Sequence, residues 1–374
     1  MSQPKKIAII GASYLQLPVV EKANELGIET HCFAYLEGAV CKEHCSEFHP
    51  ISILEKEEIL NVCRSLKIDG VLSIASDLAV VTVNYVAHHL GLIGNDLEST
   101  EITTNKYKMK QVLKKENLPT SSFEIVKDES DLKHLDNFNY PLIVKPVDRS
   151  GSMGVTKIES EAELHDAYEI ALAASLCKEV IIEEFITGNE LSVESISQNG
   201  VHRILAYTDK VTTGAPNFVE LEHHQPADIS DEARARVNRI VISSLDVLGV
   251  SDGAAHSELF VTSQGELYVN EIGARMGGDF IGSHLVVLST GFDFLEAVIR
   301  VALGVEITHE YPMKKNSGVI FKNDLNSDEF DLVSDSSDFV IELESGLSEK
   351  RSFSKSGDRG NYFIYQSDKR VNFE

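Results

Sequence analysis

Glu258 and Glu271, thirteen positions apart, lie on two extended segments that read as the arms of one hairpin. Gly253 to Thr262 alternates small or apolar with polar residues and ends in Ser263-Gln264-Gly265, and a second extended run, Glu266 to Ile272, follows at once. An X-Gly pair between two such runs signals a hairpin. With Gln264-Gly265 as a two-residue loop, Ser263 pairs with Glu266, and counting back sets Glu258 directly opposite Glu271. Like charges directly opposite on a sheet repel each other, so the pair calls for a cation. Mg²⁺ suits it, being held by one or two carboxylates plus phosphate oxygens. Two chance glutamates on an exposed hairpin would satisfy the same count. The continuation Gly273-Ala274-Arg275-Met276-Gly277-Gly278-Asp279 favours the metal, because it sets an arginine four residues past the second glutamate. A glycine pair then lets backbone approach a ligand closely.

Other residues with chemical potential lie upstream. Tyr140 to Val147, YPLIVKPV, is a β-rich run with Lys145 embedded in it. A lysine inside an apolar strand is costly unless its ammonium meets an anion. Arg149-Ser150-Gly151-Ser152-Met153-Gly154 follows, and a strand resumes at Val155. Small residues between two strands make a flap whose N–H groups can cradle phosphate. It is not a Walker A loop, since no G-x-x-x-x-G-K-[ST] occurs in the chain. A helix over Asn105 to Asn117 carries Lys106, Lys108 and Lys110.

The elements that must position these groups are alternating strands and helices. Strands are expected over Lys6 to Ile10, Glu29 to Tyr35 and Val71 to Ala75, with helices over Pro18 to Leu26, Lys56 to Leu66 and Leu78 to Leu90. Such alternation implies parallel βαβ winding. The turn GASYLQLP lacks G-x-G-x-x-G spacing, which argues against a dinucleotide site. Gly11, Ala12, Ser13, Ser76 and Asp77, at strand ends, are either substrate contacts or plain turns. Further strands are expected over Glu179 to Ile186, LSVESIS and VHRILAY, the last two joined at Asn199-Gly200. Thr212 to Asp228 reads as a polar loop, Ser230 caps a helix to Leu248, and Phe292 to Leu303 reads as another helix. The last 70 residues or so read as strand-like, rich in Ser and Asp.

At 374 residues, with 43% hydrophobic and 25% charged residues, the chain suits two or three domains of a soluble globular protein. A net charge of −25 argues against nucleic acid or an anionic membrane as partner. No apolar run reaches the roughly 20 residues needed to span a bilayer, and Lys5-Lys6 passes straight into IAII without a signal-peptide core. A cytoplasmic location is expected. The five cysteines, an odd number, imply free thiols. Cys41, His44, Cys45 and His49 cluster in sequence, but without a second paired unit they read as a surface loop with a few buried thiols.

Lys145 before a glycine flap, an EEFI segment, a glutamate soon after it, and an E…E-x-x-x-R hairpin stand here in a fixed order. That order resembles the ATP-grasp superfamily of carboxylate–amine ligases across nearly the whole chain. The resemblance implies an α/β ATP-grasp fold with an N-terminal parallel α/β domain (1–100), a lid subdomain with the flap (101–190), a large subdomain with the metal site (191–305) and a C-terminal β-rich segment (306–374). It implies that Lys106 and Lys145 contact ATP phosphates, with Gly151, Ser152, Met153 and Gly154 closing over them. It gives Glu183 the adenine amino group, Glu184 and Ile186 the ring edge through their backbone, and Glu190 the ribose. Glu258 and Glu271 match the Mg²⁺ (or Mn²⁺) ligands. The family usually places an asparagine two residues after the second glutamate; here that residue is Gly273, which puts one ligand of a second ion in doubt.

Arg275 followed by Gly277-Gly278 resembles the L-amino acid ligase branch, as does FVELEHHQP. Glu220 and His223 then match substrate-contacting residues: Glu220 would pair with a substrate ammonium and His223 would take the proton of the attacking amine. The implied partners are ATP, a small carboxylate and an amine, with the segment from Glu306 onward either covering the site or mediating a homodimer. A bicarbonate-activating carboxylase or carbamoyl-phosphate-type enzyme, and a non-catalytic ATP-binding regulatory protein, are the rival readings.

Overall fold

Four short strands begin the chain, β1 (Lys6–Ile10), β2 (Glu29–Phe33), β3 (Glu47–His49) and β4 (Gly70–Leu72), and all but the edge strand β3 are mostly buried. They form a parallel sheet in the order β3-β2-β1-β4. Helix α1 (Leu17–Glu25) connects β1 to β2 and α2 (Lys56–Leu66) connects β3 to β4, while α3 (Asp77–Leu90) follows β4, at the three places where helices are expected. Ser76 caps α3 by accepting from the Ala79 N–H, and Gly91 ends it at φ 65, a left-handed conformation that glycine adopts without a Cβ penalty. Strand β3 was read as part of a loop; its three residues are too few to show a period. The computed structural model describes residues 4–135, 138–215, 218–308, 311, 313–323, 326–336, 339–344 and 358–371.

After α4 (Leu97–Thr103) and α5 (Lys106–Lys115), a second sheet is antiparallel: β5 (Phe123–Val126), β6 (Leu142–Pro146), β7 (Thr156–Ile158) and β8 (Val180–Glu184), ordered β5-β8-β6-β7, with α6 (Leu164–Ala174) packed on it. The flap is the connection between β6 and β7. Gly154, at φ +74, lies against α6 so closely that a Cβ would stand 2.7 Å from the Ala174 Cβ.

The third sheet has eight strands, ordered β13-β12-β9-β10-β11-β14-β16-β15, and all its pairings are antiparallel. They are β9 (Asn189–Gln198), β10 (Val201–Thr212), β11 (Glu220–Gln225), β12 (Gly253–Val261), β13 (Leu267–Gly273), β14 (Asn316–Phe321), β15 (Val340–Glu344) and β16 (Tyr362–Ser367). Helix α7 (Asp231–Val247), capped by Ser230 as expected, seals one face through Val237, Val241 and Leu245. Helices α8 (Val286–Thr290) and α9 (Phe294–Ala302) lie beside the first sheet and the large one.

Two expectations need correction here. Residues 220–225 are not loop: ELEHHQ forms β11, pairing with β10 and β14. Its polar residues hid it, because His223, His224 and Gln225 are buried by neighbours far away in sequence. The C-terminal part is not all strand either, since residues 327–336 form helix α10 (Ser327–Ser336). Its strands β14, β16 and β15 continue the large sheet.

Candidate active site

Glu258 faces Glu271 across β12 and β13, as the count predicts, but by a different route. Val261 pairs with Leu267 and the Thr262 N–H bonds the Glu266 carbonyl, so the loop is Ser263-Gln264-Gly265, one residue longer than expected. A β-bulge then shifts the register between Glu258 and Leu259, which pairs with Val269, and this absorbs the extra residue at Asn270. The two departures cancel at the glutamates. The bulge also aims Asn270 at the site, where its Oδ1 accepts from Lys145 Nζ at 3.3 Å and its Nδ2 donates to Glu258 Oε2 at 3.4 Å.

Both carboxylates are satisfied by ammonium groups. Lys106 Nζ donates to Glu271 Oε1 at 2.7 Å and to the Arg149 carbonyl at 2.6 Å. Lys210 Nζ donates to Glu258 Oε1 at 2.6 Å and to Glu190 Oε1 at 2.5 Å, with Glu220 Oε1 at 4.0 Å. Burial alone would lower the Lys106 pKa and raise that of Glu258. Glu271 outweighs it for the first, holding Lys106 above the usual lysine range, while Lys210 and His256 hold Glu258 well below the carboxylate range. One ammonium cannot serve two carboxylates equally, and burial pushes Glu190 up despite Lys210.

A second buried group lies beside it. Glu183 is 4% exposed and stands between Lys110 (Oε2, 3.1 Å) and Lys145 (Oε1, 2.9 Å), with the Ser121 hydroxyl donating to Oε2 at 3.1 Å. Lys145 lies off the direction of a hydrogen bond to Oε1, so that oxygen keeps an acceptor position. Burial would raise the Glu183 pKa, but the two ammoniums bring it down to about 2. Burial pushes Lys110 down to about 8 despite Glu183.

Arg275 takes the carboxylate of Asp77 in a bidentate grip, Nε to Oδ1 at 2.8 Å and Nη2 to Oδ2 at 2.9 Å. Gly273 makes this possible. A Cβ there would stand 2.9 Å from Asp77 Oδ1 and 3.2 Å from Arg275 Cζ, so an asparagine at this position conflicts with the ion pair. Asp77, expected as either a substrate contact or part of a plain turn, holds the arginine. Gly11, Ala12, Ser13 and Ser76 line a separate cavity of ≈ 240 Å³.

One cavity of ≈ 730 Å³ collects most of the expected residues: Lys106, Lys145, Gly151, Ser152, Met153, Glu183, Glu184, Ile186, Glu190, Glu220, Glu258, Glu271 and Arg275. Its apolar lining includes Ile143, Val155, Phe185, Phe260 and Tyr268. Gly154 and His223 are not among its lining residues. Gly154 is turned to α6. His223 is 1% exposed, its Nε2 lies 3.5 Å from Asp279 Oδ2, and its Nδ1 has no hydrogen-bond partner. Burial lowers its pKa against the pull of Asp279, and Asp279 is itself gripped by Arg359 at 2.6 and 2.8 Å. Gly277 does not serve a ligand: its N–H donates to Glu194 Oε2 at 3.0 Å, beside the buried Glu194–His256 pair.

Lys210, Lys110 and Asn270 were missed as site residues. A lysine inside a strand was the signal at Lys145 and applies equally to Lys210. Lys106 and Lys110 are four apart on one helix face, whereas Lys108 points to Glu101 and solvent. Nothing local marks the bulge that turns Asn270 inward.

Glu258 and Glu271 themselves offer carboxylate oxygens, which suits a hard divalent cation, with His256 Nε2 3.3 Å from Glu258 Oε1, and the two ammoniums show how strongly this pair attracts positive charge. Lys106, Lys145, Arg149 and the glycine-bearing flap add cationic and small-residue walls to the same cavity. Residues 138–283 match the family model described as ATP-grasp domain. It is similar to formate-dependent phosphoribosylglycinamide formyltransferase of Prochlorococcus marinus (strain NATL2A), 24% identical over 81% of this chain and 78% of that protein. It is 24% identical to the L-arginine-specific L-amino acid ligase of Bacillus subtilis over 66% of this chain and 61% of that one. The solved structure of L-amino acid ligase from Bacillus licheniformis superposes with a TM-score of 0.79 at 24% identity, covering 99% of this chain and 95% of that one. Among the described residues no helix is long and apolar enough to cross a membrane.

Proposed function

We propose that this chain joins a small carboxylate, an amino acid foremost, to an amine through an acyl phosphate, consuming ATP and releasing ADP and phosphate. The carrying observation is that Arg275 and the facing pair Glu258 and Glu271 share one cavity with Lys106 and Lys145. In this reading the nucleobase lies against Ile143, Phe185 and Ile186, its amino group donating to the open acceptor of Glu183. Lys106, Lys145 and the N–H groups of Gly151 to Met153 hold the phosphates. Bound Mg²⁺ (or Mn²⁺) on Glu258 and Glu271 supplies charge neutralisation of phosphate oxygens, and Lys106 and Lys210 are released to other anions.

A carboxylate does not react with an amine directly, because oxide would have to leave. A substrate carboxylate oxygen attacks the γ-phosphorus, the bond to the β–γ bridging oxygen breaks, and ADP departs. The amine then attacks the carbonyl carbon, the C–O bond to phosphate breaks, and the departing phosphate can take the amine proton. Arg275 binds the acid and the charge that develops on the acyl oxygen. Glu220, lining the same cavity, suits a substrate ammonium. His223 is set aside as the base because it does not line the cavity. His256 lines it, but Glu194 outweighs burial and pushes its pKa up to about 9, so at neutral pH it is a cation.

ADP release with Mg²⁺ and ATP, screened over pools of amino acids, small carboxylates and amines, tests this directly. ADP formed only with particular acid–amine pairs, alongside a mass-identified amide, is the expected result. ADP formation driven by bicarbonate alone would transfer the assignment to a carboxylase, and nucleotide binding without turnover in any pool would leave a regulatory ATP-binding protein.

Gly273→Asn, which restores the asparagine usual in the family, should lower kcat by about tenfold to a hundredfold instead of improving metal use, because it displaces the Asp77–Arg275 grip. Steady-state kinetics across a Mg²⁺ titration checks this: a variant with equal or higher kcat would show that the close approach at 273 is unimportant.

A further inference from the structure

The first sheet carries a cluster that the ligase chemistry does not use. We propose that His31, Glu47 and His49, at the β2–β3 edge of the parallel sheet, form a zinc site. The register pairs His31 with Glu47 and Phe33 with His49, and the period of two places all four on one face. The ligand atoms of His31, Glu47 and His49 all lie within 4.8 Å of one another. His31 Nδ1 is 3.2 Å from His49 Nε2 and 3.5 Å from Glu47 Oε2. Tetrahedral zinc with bonds of roughly 2.0–2.2 Å needs ligand atoms about 3.3–3.6 Å apart.

The orientation of His31 is set from behind. Its Nε2 lies 3.1 Å from Glu29 Oε1, which Lys6 Nζ also reaches at 3.0 Å. A carboxylate only accepts, so His31 carries its proton on Nε2 and presents the Nδ1 lone pair to His49 and Glu47. A carboxylate behind a histidine whose other nitrogen faces further donors is the usual arrangement around protein-bound zinc. His31 is fully buried, and the His49 ring is stacked on Phe33 at 4.5 Å and 14°, so neither imidazole is a freely rotating surface group. Without the ion, the 3.2 Å contact closes as a hydrogen bond in which His49 Nε2–H donates to His31 Nδ1. Zinc takes the place of that proton, His49 moving its hydrogen to Nδ1, and the His31 and His49 rings, now 26° from parallel, tilt to converge on it. Two imidazoles and one carboxylate leave a fourth position for water. The site would tie the three-residue edge strand β3 to β2. Sequence spacing drew attention instead to Cys41, His44, Cys45 and His49, of which only His49 belongs to this cluster.

Calorimetric titration of the chelator-treated full chain with Zn²⁺, in the absence of Mg²⁺ and ATP, tests the site without reference to ligase activity. The expected result is saturable binding that His49→Gln and Glu47→Gln each weaken at least tenfold, and that Glu29→Gln weakens by about tenfold to a hundredfold through the outer sphere. Co²⁺ should give the strong visible absorption of a four-coordinate site in the wild type and not in His49→Gln, and Zn²⁺ should raise the wild-type Tm only. Both substituted ligands are at least partly exposed, and circular dichroism verifies that each variant is folded. No saturable Zn²⁺ binding would overturn the proposal. So would binding that is unchanged in His49→Gln and Glu47→Gln, or binding that survives in them and disappears in Glu258→Gln, which would assign the ion to the ligase cavity.

Discussion

Arg275→Ala should lower kcat by roughly a hundredfold or more, about 3 kcal/mol on the barrier, with ATP affinity little changed. The side chain lines the cavity, and its Nη1 donates to the Met276 carbonyl at 3.3 Å while Nε and Nη2 are committed to Asp77. Burial alone would lower its pKa, but Asp77 overrides this and holds it above even the usual arginine value, so it stays charged at any working pH. The remaining N–H groups are therefore held in a fixed direction at the cavity, where the proposed acid would meet them, which is what electrostatic stabilisation of developing charge requires. Lysine would not replace it, since an ammonium cannot grip Asp77 through two parallel bonds and still face the cavity. Asp77→Asn keeps the shape, loses the charge and one acceptor, and should give an intermediate loss in kcat. Steady-state ADP release together with direct measurement of ATP binding checks both variants. An Arg275→Ala enzyme that keeps its kcat, or loses only nucleotide affinity, would refute the assignment.

Glu183→Gln is expected to destabilise the fold by roughly 3–5 kcal/mol at neutral pH, because it strands the ammoniums of Lys110 and Lys145 in a buried site. Asparagine-like amides accept hydrogen bonds but carry no charge, so the shape survives and the Coulombic compensation does not. The pH dependence follows from linkage. The folded pKa, about 2, lies below the ordinary 4.5, so this carboxylate's contribution is complete above pH 4.5 and is lost as pH falls through about 2. Urea unfolding of wild type and variant should therefore show the full gap at pH 7 and a shrinking gap between pH 4.5 and the acid limit of folding. A gap below about 1 kcal/mol at pH 7, or one that widens in acid, would contradict the buried triad.

Much of this architecture was legible because it depends on short-range rules. Strand β1 and helix α2 begin and end at the expected residues, since burial on both faces of a parallel strand and a 3.6-residue period leave clear local patterns. The facing of Glu258 and Glu271 was legible too, although its count assumed a two-residue loop and no bulge, two departures of opposite sign. Strand β11 was not legible, because ELEHHQ is polar by composition and only β10 and β14 bury it. His223 was misplaced for the same reason: a histidine in a loop faces ligand or solvent, whereas one in an interior strand takes whatever face the neighbouring strands leave.

Residue type and spacing alone determined the ordered set of lysines, flap, glutamates and arginine, and with it the resemblance to the ATP-grasp ligases and the facing of the two glutamates, because each piece is built within a turn or a strand pair. The pairings that make a site of them were decided by tertiary structure: Lys210 with Glu258 across 48 residues, Lys106 with Glu271 across 165, Arg275 with Asp77 across 198. Charges so far apart in sequence meet only when non-adjacent strands line up in one sheet, as for Lys210 and Glu258, or when helices and sheets pack together, as for the other two pairs, and the depth of burial reached there, which no local pattern encodes, sets which partner keeps its proton.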